Sequence, residues 1–278
     1  MDRRAADRKN PTQRIMMRAA AVVLACLTIV ARGEEWQSKL TPPVLGPAPP
    51  LRLLHATYRF GWSKFEAARA DFDYTKTKEG LLKLEVITRT DGVVRKLWAM
   101  DATHTSLFEP VTLRPVSALQ TEKYKKETIT TKMDFDEAGV SRLRESEPPD
   151  KNPPKTKRFA FPGVFDLYGA LLFVRSQPLK KDDVLRVIVY PATAPYLAEL
   201  KVLGREKIEV GKKSYDALKL DLKLRRITKK LDLETHTKFK RASAWLSDDR
   251  DRLLLKIQAE LSVGSVWTEL QSVKFNDP

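Results

Sequence analysis

Strict alternation of apolar and polar side chains constrains the fold of this chain more than any other feature of its sequence. In residues 218–225 every second residue is leucine, and each residue between them is charged. Residues 129–136 and 255–261 follow a similar pattern. Successive side chains of a β-strand point to opposite faces, so a period of two with one apolar face is typical of a half-buried strand. The sequence therefore predicts a fold built mainly of strands.

The same reading extends along most of the chain. Further strands are expected at 53–60, 65–74, 81–90, 102–108, 114–124, 140–146, 184–191, 196–203, 237–246 and 265–275. Turn sequences such as Asp91-Gly92 separate several of them. About a dozen strands in succession indicate an antiparallel meander that curls on itself. The predicted fold class is mainly all-β: a strongly curved antiparallel sheet or an open β-barrel.

One segment, residues 161–175 (FPGVFDLYGALLFVR), departs from the alternation. Its apolar residues lie nearly all the way round at helical spacing, and Pro162 and Gly163 open it. Asp166 lies in the predicted first turn, where the helix dipole favours a carboxylate. A helix that is apolar on every side belongs in an interior. We expect one buried helix near 163–175, lying across the concave face of the sheet and too short to span a bilayer.

Residues 1–33 have the organisation of a secretory signal peptide. Basic residues precede the apolar run 19–31, and the small residues Ala31 and Gly33 occupy the positions that a signal peptidase reads. The run is shorter than a membrane-spanning helix. The sequence predicts a periplasmic protein, cleaved near Gly33, with no transmembrane segment after cleavage. Met17 is an alternative start.

Cys26 is the only cysteine of the chain. The sequence VLAC that ends at Cys26 loosely matches a lipobox, although apolar residues continue beyond it. Lipoprotein anchoring through Cys26 is therefore the alternative to simple cleavage. After simple cleavage no disulfide can form, so the core must supply the stability.

The net charge bears on the class of partner. Residues 1–33 carry seven Lys or Arg and two Asp or Glu, so their removal lowers the formal charge from +15 to +10. An exported basic protein meets lipid head groups and envelope polymers as its polyanions. The preferred interpretation is that the lysine-rich surface only keeps the sheet in solution. The alternative is a partner, either lipid or another envelope component, and no nucleic acid is expected.

Two proline-rich stretches organise the mature sequence. Residues 41–50 (TPPVLGPAPP) are half proline and cannot donate enough backbone hydrogen bonds for regular structure, which predicts a linker over 34–50. A second stretch, EPPDKNPP, allows a subdivision at 147–157. Residues 51–276 are predicted to form a single β domain, a length that is ordinary for this class.

Motifs for catalysis and metal binding are weak. Residues 245–257 (WLSDDRDRLLLKI) concentrate Ser247 with three aspartates, but a calcium loop needs more oxygen ligands at set spacing and a glycine at its turn. A hairpin tip with water-facing carboxylates is the preferred interpretation. His55, His104 and His236 are isolated in sequence and have no metal-ligand spacing. We therefore expect no catalytic residue, no cofactor and no metal site.

Aromatic residues offer the main alternative to a purely structural interior. A large curved sheet that its own side chains do not fill can hold a ligand. The side chains predicted to line such a pocket are Phe165, Tyr168, Leu172, Trp245 and Trp267.

Several sequence blocks together resemble the domain-of-unknown-function 3108 family of exported bacterial proteins. They are FPGVFDLYGALLFVRSQPL, VLGREKIEVGKKSYDALKL, AWLSDDRDRLLLKIQAELSVGSVWTEL and, near the N-terminus, ATYRFGWSKFEAARADF. The resemblance covers about residues 51–275. It implies an exported, mostly antiparallel β protein with no established activity, and it brings no catalytic residues.

Two functional hypotheses from different classes follow. The preferred hypothesis is a non-catalytic cell-envelope protein that holds an apolar or amphiphilic ligand, or a partner chain, in the concave face of its sheet. The alternative is a hydrolase that acts on envelope polymers. Asp166 converging with a histidine and a hydroxyl in a cleft, with perturbed titration, would favour the enzyme. A lined apolar cavity would favour the binding protein.

Overall fold

The computed structural model describes residues 36–151, 153–235 and 241–276. The predicted signal peptide, the cleavage site near Gly33, Cys26 and His236 lie outside these residues, as does part of the strand predicted at 237–246. The chain separates into two compact units, Met1–Leu40 and Thr41–Pro278. The described part of the first unit contains a short 3-10 helix, Gln37–Lys39.

The second unit is dominated by strands. In the described residues they are β1 (Leu54–Trp62), β2 (Phe65–Lys76), β3 (Leu82–Thr90), β4 (Met100–Phe108), β5 (Pro115–Tyr124), β6 (Thr128–Asp136), β7 (Gly139–Glu147), β8 (Lys157–Phe159), β9 (Val164–Phe165), β10 (Val184–Val189), β11 (Tyr196–Val210), β12 (Lys213–Ile227), β13 (Leu233–Thr235), β14 (Arg241–Ser247), β15 (Leu254–Glu260) and β16 (Ser265–Phe275). The α-helices within its described part are α1 (Gly92–Leu97) and α2 (Leu167–Ser176). The fold class predicted from the alternation is confirmed.

All these strands belong to one sheet, which is not closed. Its order is β8-β7-β6-β5-β4-β3-β2-β1-β16-β15-β14-β12-β11-β10-β9, and β13 pairs with β12. The chain therefore starts in the middle, builds one half outwards from β1 to β8, and returns from β9 to β16 beside β1. Register shifts interrupt the ladders at five places, including Phe60/Gly61 and Val202/Gly204. Such bulges bend and twist strands, which explains how the sheet curves.

Helix α2 packs between the two halves of the curved sheet. Leu172 contributes to a core that contains β1–β4 side chains such as Tyr58, Tyr74 and Phe108 and also side chains of β11, β12 and β14–β16. Phe173 and the residues around it contribute to a second core with β10–β14. The apolar stripe of α2 therefore meets both halves, as its all-round apolar sequence predicts.

Local details differ from the sequence-based expectation. The helix begins at Leu167 and not near 163, because Val164–Phe165 instead pairs as β9 with β10, in parallel. Asp91-Gly92 does not form a tight hairpin turn. It starts α1, and the Asp91 side chain accepts a hydrogen bond from the Gly92 N–H at 2.7 Å.

The proline-rich segment 41–50 begins the second unit and has no regular structure. Its backbone N–H groups at Gly46 and Ala48 donate to Ser176 at the end of α2, to Oγ (3.3 Å) and to the carbonyl oxygen (3.1 Å). The side chain of Gln177 donates to the Val44 carbonyl at 3.0 Å. The two bonds to Ser176 satisfy its hydroxyl and carbonyl oxygens at the C-terminal end of α2, where the carbonyl has no partner within the helix. The segment is therefore tied down along the end of α2.

Candidate functional site

A cleft opens on the concave face where α2 begins. Its volume is about 240 Å³. Strands β3–β6 supply one wall, and the start of α2 with the residues after β10 supplies the other. The lining residues are Val86, Thr88, Met100, Ala102, His104, Gln120, Glu122, Met133, Asp166, Leu167, Tyr168, Tyr190 and Pro191. Val86, His104 and Gln120 are direct cross-strand neighbours, so they form a continuous row on this wall.

Asp166 holds the start of α2 against β4. It is the N-cap of the helix, and its Oδ1 accepts a hydrogen bond from the Gly169 N–H at 2.7 Å. The Ser106 hydroxyl donates to Oδ2 of the same carboxylate. Both Asp166 and Ser106 are 0% exposed. Since each oxygen of Asp166 already accepts a structural hydrogen bond, the buried carboxylate is satisfied without water.

His104 completes this network on the side of the cleft. Its Nε2 lies 2.8 Å from Ser106 Oγ and 3.8 Å from Asp166 Oδ2. Ser106 has one hydroxyl proton and donates it to Asp166, so the contact with His104 requires that His104 Nε2 carries a proton and donates. Asp166, a histidine and a hydroxyl therefore converge beside a cleft.

The order of the network differs from that of a nucleophilic triad. In such a triad the histidine lies between hydroxyl and carboxylate and removes the hydroxyl proton. Here the serine lies between histidine and carboxylate, its proton points to Asp166, and its oxygen is fully buried. A substrate in the cleft cannot reach Ser106 Oγ in this arrangement. The network is therefore suited to fixing His104 and the helix start, and it is not arranged for attack by serine.

Tyr168 separates the cleft from a second, apolar cavity of about 60 Å³. Its ring contacts His104 and Phe72 edge to face, with centroids 4.8 and 5.9 Å away. Burial raises the pKa of the Tyr168 hydroxyl above its ordinary value, and the Asp166 charge raises it further. Tyr168 is therefore an uncharged, amphipathic side chain with the cleft on one side and the apolar cavity on the other.

The structure places the predicted pocket residues in different regions. Tyr168 and Leu172 border the apolar cavity together. Phe165 stacks on Phe173 in the second core and also lines a pocket of about 270 Å³ beside β5. Trp245 packs under the bent hairpin of β11 and β12, where its Nε1–H donates to Glu206 at 2.7 Å. Trp267 lies near the start of β16, opposite Gly61 of β1, and its Nε1–H donates to the Ser63 carbonyl at 2.9 Å.

The acidic stretch after Trp245 is the connection between β14 and β15, as the hairpin interpretation requires. Asp248 and Asp249 are exposed, but Asp251 is 5% exposed, so the expectation that all these carboxylates face water is wrong. Arg52 forms a two-point ion pair with the Asp251 carboxylate at 3.0 and 2.7 Å. The Arg175 guanidinium donates to the Asp251 carbonyl at 3.0 and 2.8 Å. Burial lowers the pKa of Arg175 to about 10.

Within residues 36–151, 153–235 and 241–276, no three His, Cys, Asp or Glu side chains are arranged to hold a metal ion. His55 forms its contact with Asp73, 2.9 Å away, on the sheet face opposite the one that Leu54 and Ala56 bury. His104 and His55 thus belong to different local networks.

Ser106 and Glu122 were missed by the sequence reasoning, and His104 was noted only as isolated. The sequence did contain a signal for His104 and Ser106. In the predicted strand 102–108, His104 and Ser106 share a face with Ala102 and Phe108. Polar residues at inward positions of a strand need buried partners, which makes them candidates for a site.

Comparisons with known proteins give the fold and the family. No curated protein matches the sequence. A beta-barrel-like protein of domain of unknown function DUF1849 from Brucella abortus has a similar structure, with a TM-score of 0.54 and 10% identity over 83% of this chain and 100% of that one. A protein from Bacteroides fragilis, described as a candidate exported protein with a YmcC-like fold, aligns over 83% and 99% of the two chains at 4% identity and a TM-score of 0.34.

No helix in the described ranges has the length and hydropathy needed to cross a bilayer. The model of the DUF3108 family, described as a protein of unknown function, matches residues 57–271. It covers most of the strands and all of the cleft. The chain belongs to the DUF3108 family.

Proposed function

We propose that this chain is an exported, non-catalytic binding protein of the cell envelope that holds a small amphiphilic molecule in the cleft between α2 and strands β3–β6. The export part of the proposal is supported by the basic, apolar and small-residue pattern of residues 1–33. The binding part is supported by the unfilled space on the concave face.

The observation that carries the proposal is the pairing of two unlike cavities on either side of Tyr168. The larger cleft offers polar groups at His104, Gln120 and Glu122 beside apolar side chains such as Val86. The smaller cavity is lined by aliphatic and aromatic side chains apart from Arg175 and Arg252. An amphiphile needs this combination, a few oriented polar groups for its head and apolar walls for its tail.

The cavity volumes limit the size of the ligand. Typical ligand pockets enclose about 300–1,000 Å³. The cleft of about 240 Å³ lies just below this range, and the apolar cavity adds about 60 Å³. The ligand is therefore a single-chain amphiphile, or one chain of a larger lipid whose remainder stays outside.

Native mass spectrometry of protein purified from the periplasm of an expression host tests this proposal. The wild-type protein should carry an added mass of a few hundred daltons, which gentle activation releases. Ala102→Trp places an indole in the cleft and should abolish the added mass. Leu119→Trp is the matched control, because Leu119 is exposed on the other face of β5. Protein that carries no amphiphile and takes up no added lysophospholipid would contradict the proposal. A bound polypeptide mass would instead identify a partner chain as the occupant.

A hydrolase of envelope polymers is the second candidate, because Asp166, Ser106 and His104 converge beside the cleft. The buried, carboxylate-bound serine disfavours it. Purified protein should release no product from p-nitrophenyl esters or from isolated envelope polymers beyond that of a His104→Ala variant. Turnover that His104→Ala removes, while its thermal melt stays unchanged, would establish the hydrolase in place of the binding protein.

A further inference from the structure

Six exposed large apolar side chains cluster along one edge of the sheet. This edge is formed by the connections at one end of the strands and not by an edge strand. The set, called the apolar rim below, consists of Trp62, Phe65, Val93, Leu97, Trp98 and Val263. Leu97 is 84% exposed and Val263 is 73% exposed. Single exposed apolar residues are ordinary on protein surfaces, but a cluster on one edge marks an interaction site.

The topology places these residues side by side. They lie in or beside three connections, β15 to β16, β1 to β2, and β3 through α1 to β4, which are consecutive along the same edge of the sheet. The Trp62 Nε1–H donates to the Val263 carbonyl at 3.3 Å and so joins the first two connections. The backbone N–H of Asp91 donates to the Ala67 carbonyl at 2.9 Å and joins α1 to β2.

The next connection along this edge, between β5 and β6, is joined to the rim by an aromatic contact. Trp98 stacks on Tyr124 at the end of β5, with ring centroids 6.0 Å apart. The rim is therefore continuous from the β15–β16 connection to the β5–β6 connection. Its residues come from segments up to 201 positions apart in the sequence.

Lysines are interleaved with the apolar rim. Lys64 lies between Trp62 and Phe65, and Lys96 lies in α1. Lys125 and Lys126 form the β5–β6 connection together with the exposed Glu127. All four lysines are exposed, and none takes part in an ion pair with another residue of the described ranges.

Nearby carboxylates are already neutralised in part. Asp101 pairs with Arg95 at 2.8 Å, and Asp91 lies 3.3 Å from Arg69. The unpaired charge of the rim is thus mainly positive. A second copy of this surface is a poor partner, because a two-fold contact would bring the same lysines together.

We infer that the apolar rim docks this protein onto an anionic lipid surface. Tryptophan is enriched at the membrane–water interface, where its ring sits at the level of the head groups. Leu97, Phe65 and their neighbours enter the acyl boundary, while the lysines contact lipid phosphates. A partner made only of sugars would leave the aliphatic side chains without a matching apolar surface.

The position of the rim also bears on the cleft. Met100 lines the cleft and lies at the start of β4, directly after α1. Its cross-strand partner is Tyr124, the residue that stacks on Trp98. The cleft wall therefore runs up to the rim. Docking at the rim would bring a lipid to the entrance of the cleft, but the docking itself does not depend on the cleft holding a ligand.

Vesicle co-sedimentation tests the inference directly. The full chain is mixed with vesicles of phosphatidylglycerol and phosphatidylcholine in equal parts, and with vesicles of phosphatidylcholine alone. Wild-type protein should sediment with the anionic vesicles, and binding should weaken as NaCl rises from low to high concentration, because salt screens the lysines. Tryptophan emission should shift to the blue on binding, because the rim indoles leave water.

Two variants separate the two components of the rim. Lys64→Gln with Lys96→Gln should weaken binding to anionic vesicles about 30-fold, since each lysine near an anionic surface contributes about a factor of five. Phe65→Ser with Leu97→Ser should weaken it about tenfold or more, because exposed apolar area no longer enters the bilayer. Both variants change exposed side chains and should keep the wild-type melting temperature.

Matched controls lie on the opposite edge of the sheet. Val111→Ser removes a residue that is 79% exposed in the β4–β5 connection, and Lys78→Glu reverses an exposed charge in the β2–β3 connection. Neither should change vesicle binding. Wild-type protein that stays in the supernatant with anionic vesicles would overturn the inference, and so would control variants that lose as much binding as the rim variants. A lipid-free dimer in analytical ultracentrifugation, dissociated by the rim variants, would assign the rim to self-association instead.

Discussion

Replacement of Asp251 by asparagine removes a charge from a buried junction while keeping the shape of the side chain. The Asp251 carboxylate is 8% exposed and forms two short contacts with Arg52, a charge-assisted pair of the kind that contributes about 1.5–3 kcal/mol. The change also removes from the buried Arg175 cation one of the charges that hold its pKa up, that of Asp251. Breaking a buried pair in this way costs about 3–5 kcal/mol, so we expect a loss of about 3 kcal/mol.

Urea unfolding of Asp251→Asn and Asp248→Asn measures this difference. Asp248 pairs with Arg205, whose side chain is 60% exposed, so its loss should cost less than about 1 kcal/mol. A loss of about 3 kcal/mol in a domain of this size corresponds to a fall of about 6–12 °C in Tm. Equal free energies of unfolding for the two variants would refute the reasoning that burial, and not the acidic sequence itself, sets the importance of this turn.

Three further outcomes follow from the packing. Gly46→Ala should lower the melting temperature, because a Cβ at this position would overlap the backbone at the end of α2; an unchanged melt would show that residues 41–50 are not held there. Phe173→Ala should cost about 3–5 kcal/mol in urea unfolding, since the ring is fully buried, and a cost below 1 kcal/mol would contradict its place in the core. Burial raises the pKa of Tyr58, Tyr74 and Tyr168 above their unfolded value near 10, so ionisation of these tyrosines in the unfolded chain should remove about 4 kcal/mol of stability by pH 11. Melts that stay constant from pH 8.5 to 11 would count against their burial.

The sequence predicted the strands that have one buried face, but it missed the strands that are only two or three residues long. Alternation located β1–β7, β10–β12 and β14–β16, because each of these strands is at least six residues long. β8 and β13 have three residues each and β9 has two, which is too short for a period of two to be recognised. α1 was missed because Asp91-Gly92 is equally suited to a hairpin turn and to a helix N-cap.

The candidate site was predicted only in part, because its contacts join distant segments. Asp166 and Tyr168 were singled out from the helix sequence, whereas the hydrogen bond from Ser106 to Asp166 links residues 60 positions apart. The burial of Asp251 depends on Arg52, which lies 199 positions away. Local sequence patterns carry no information on such partners. The partners become apparent only once the curved sheet brings the strands and α2 together.

Calorimetric titration of a single-chain amphiphile, such as a twelve-carbon lysophospholipid below its micelle concentration, tests the central claim of ligand binding most directly. The account predicts saturable binding with a negative heat-capacity change, because apolar surface is buried in the cleft. Ala102→Trp should weaken binding by at least about tenfold, a loss of about 1.4 kcal/mol, while Leu119→Trp leaves it unchanged. Binding that is absent in the wild-type protein, or that Ala102→Trp leaves intact, would contradict the claim that the cleft beside α2 is the binding site.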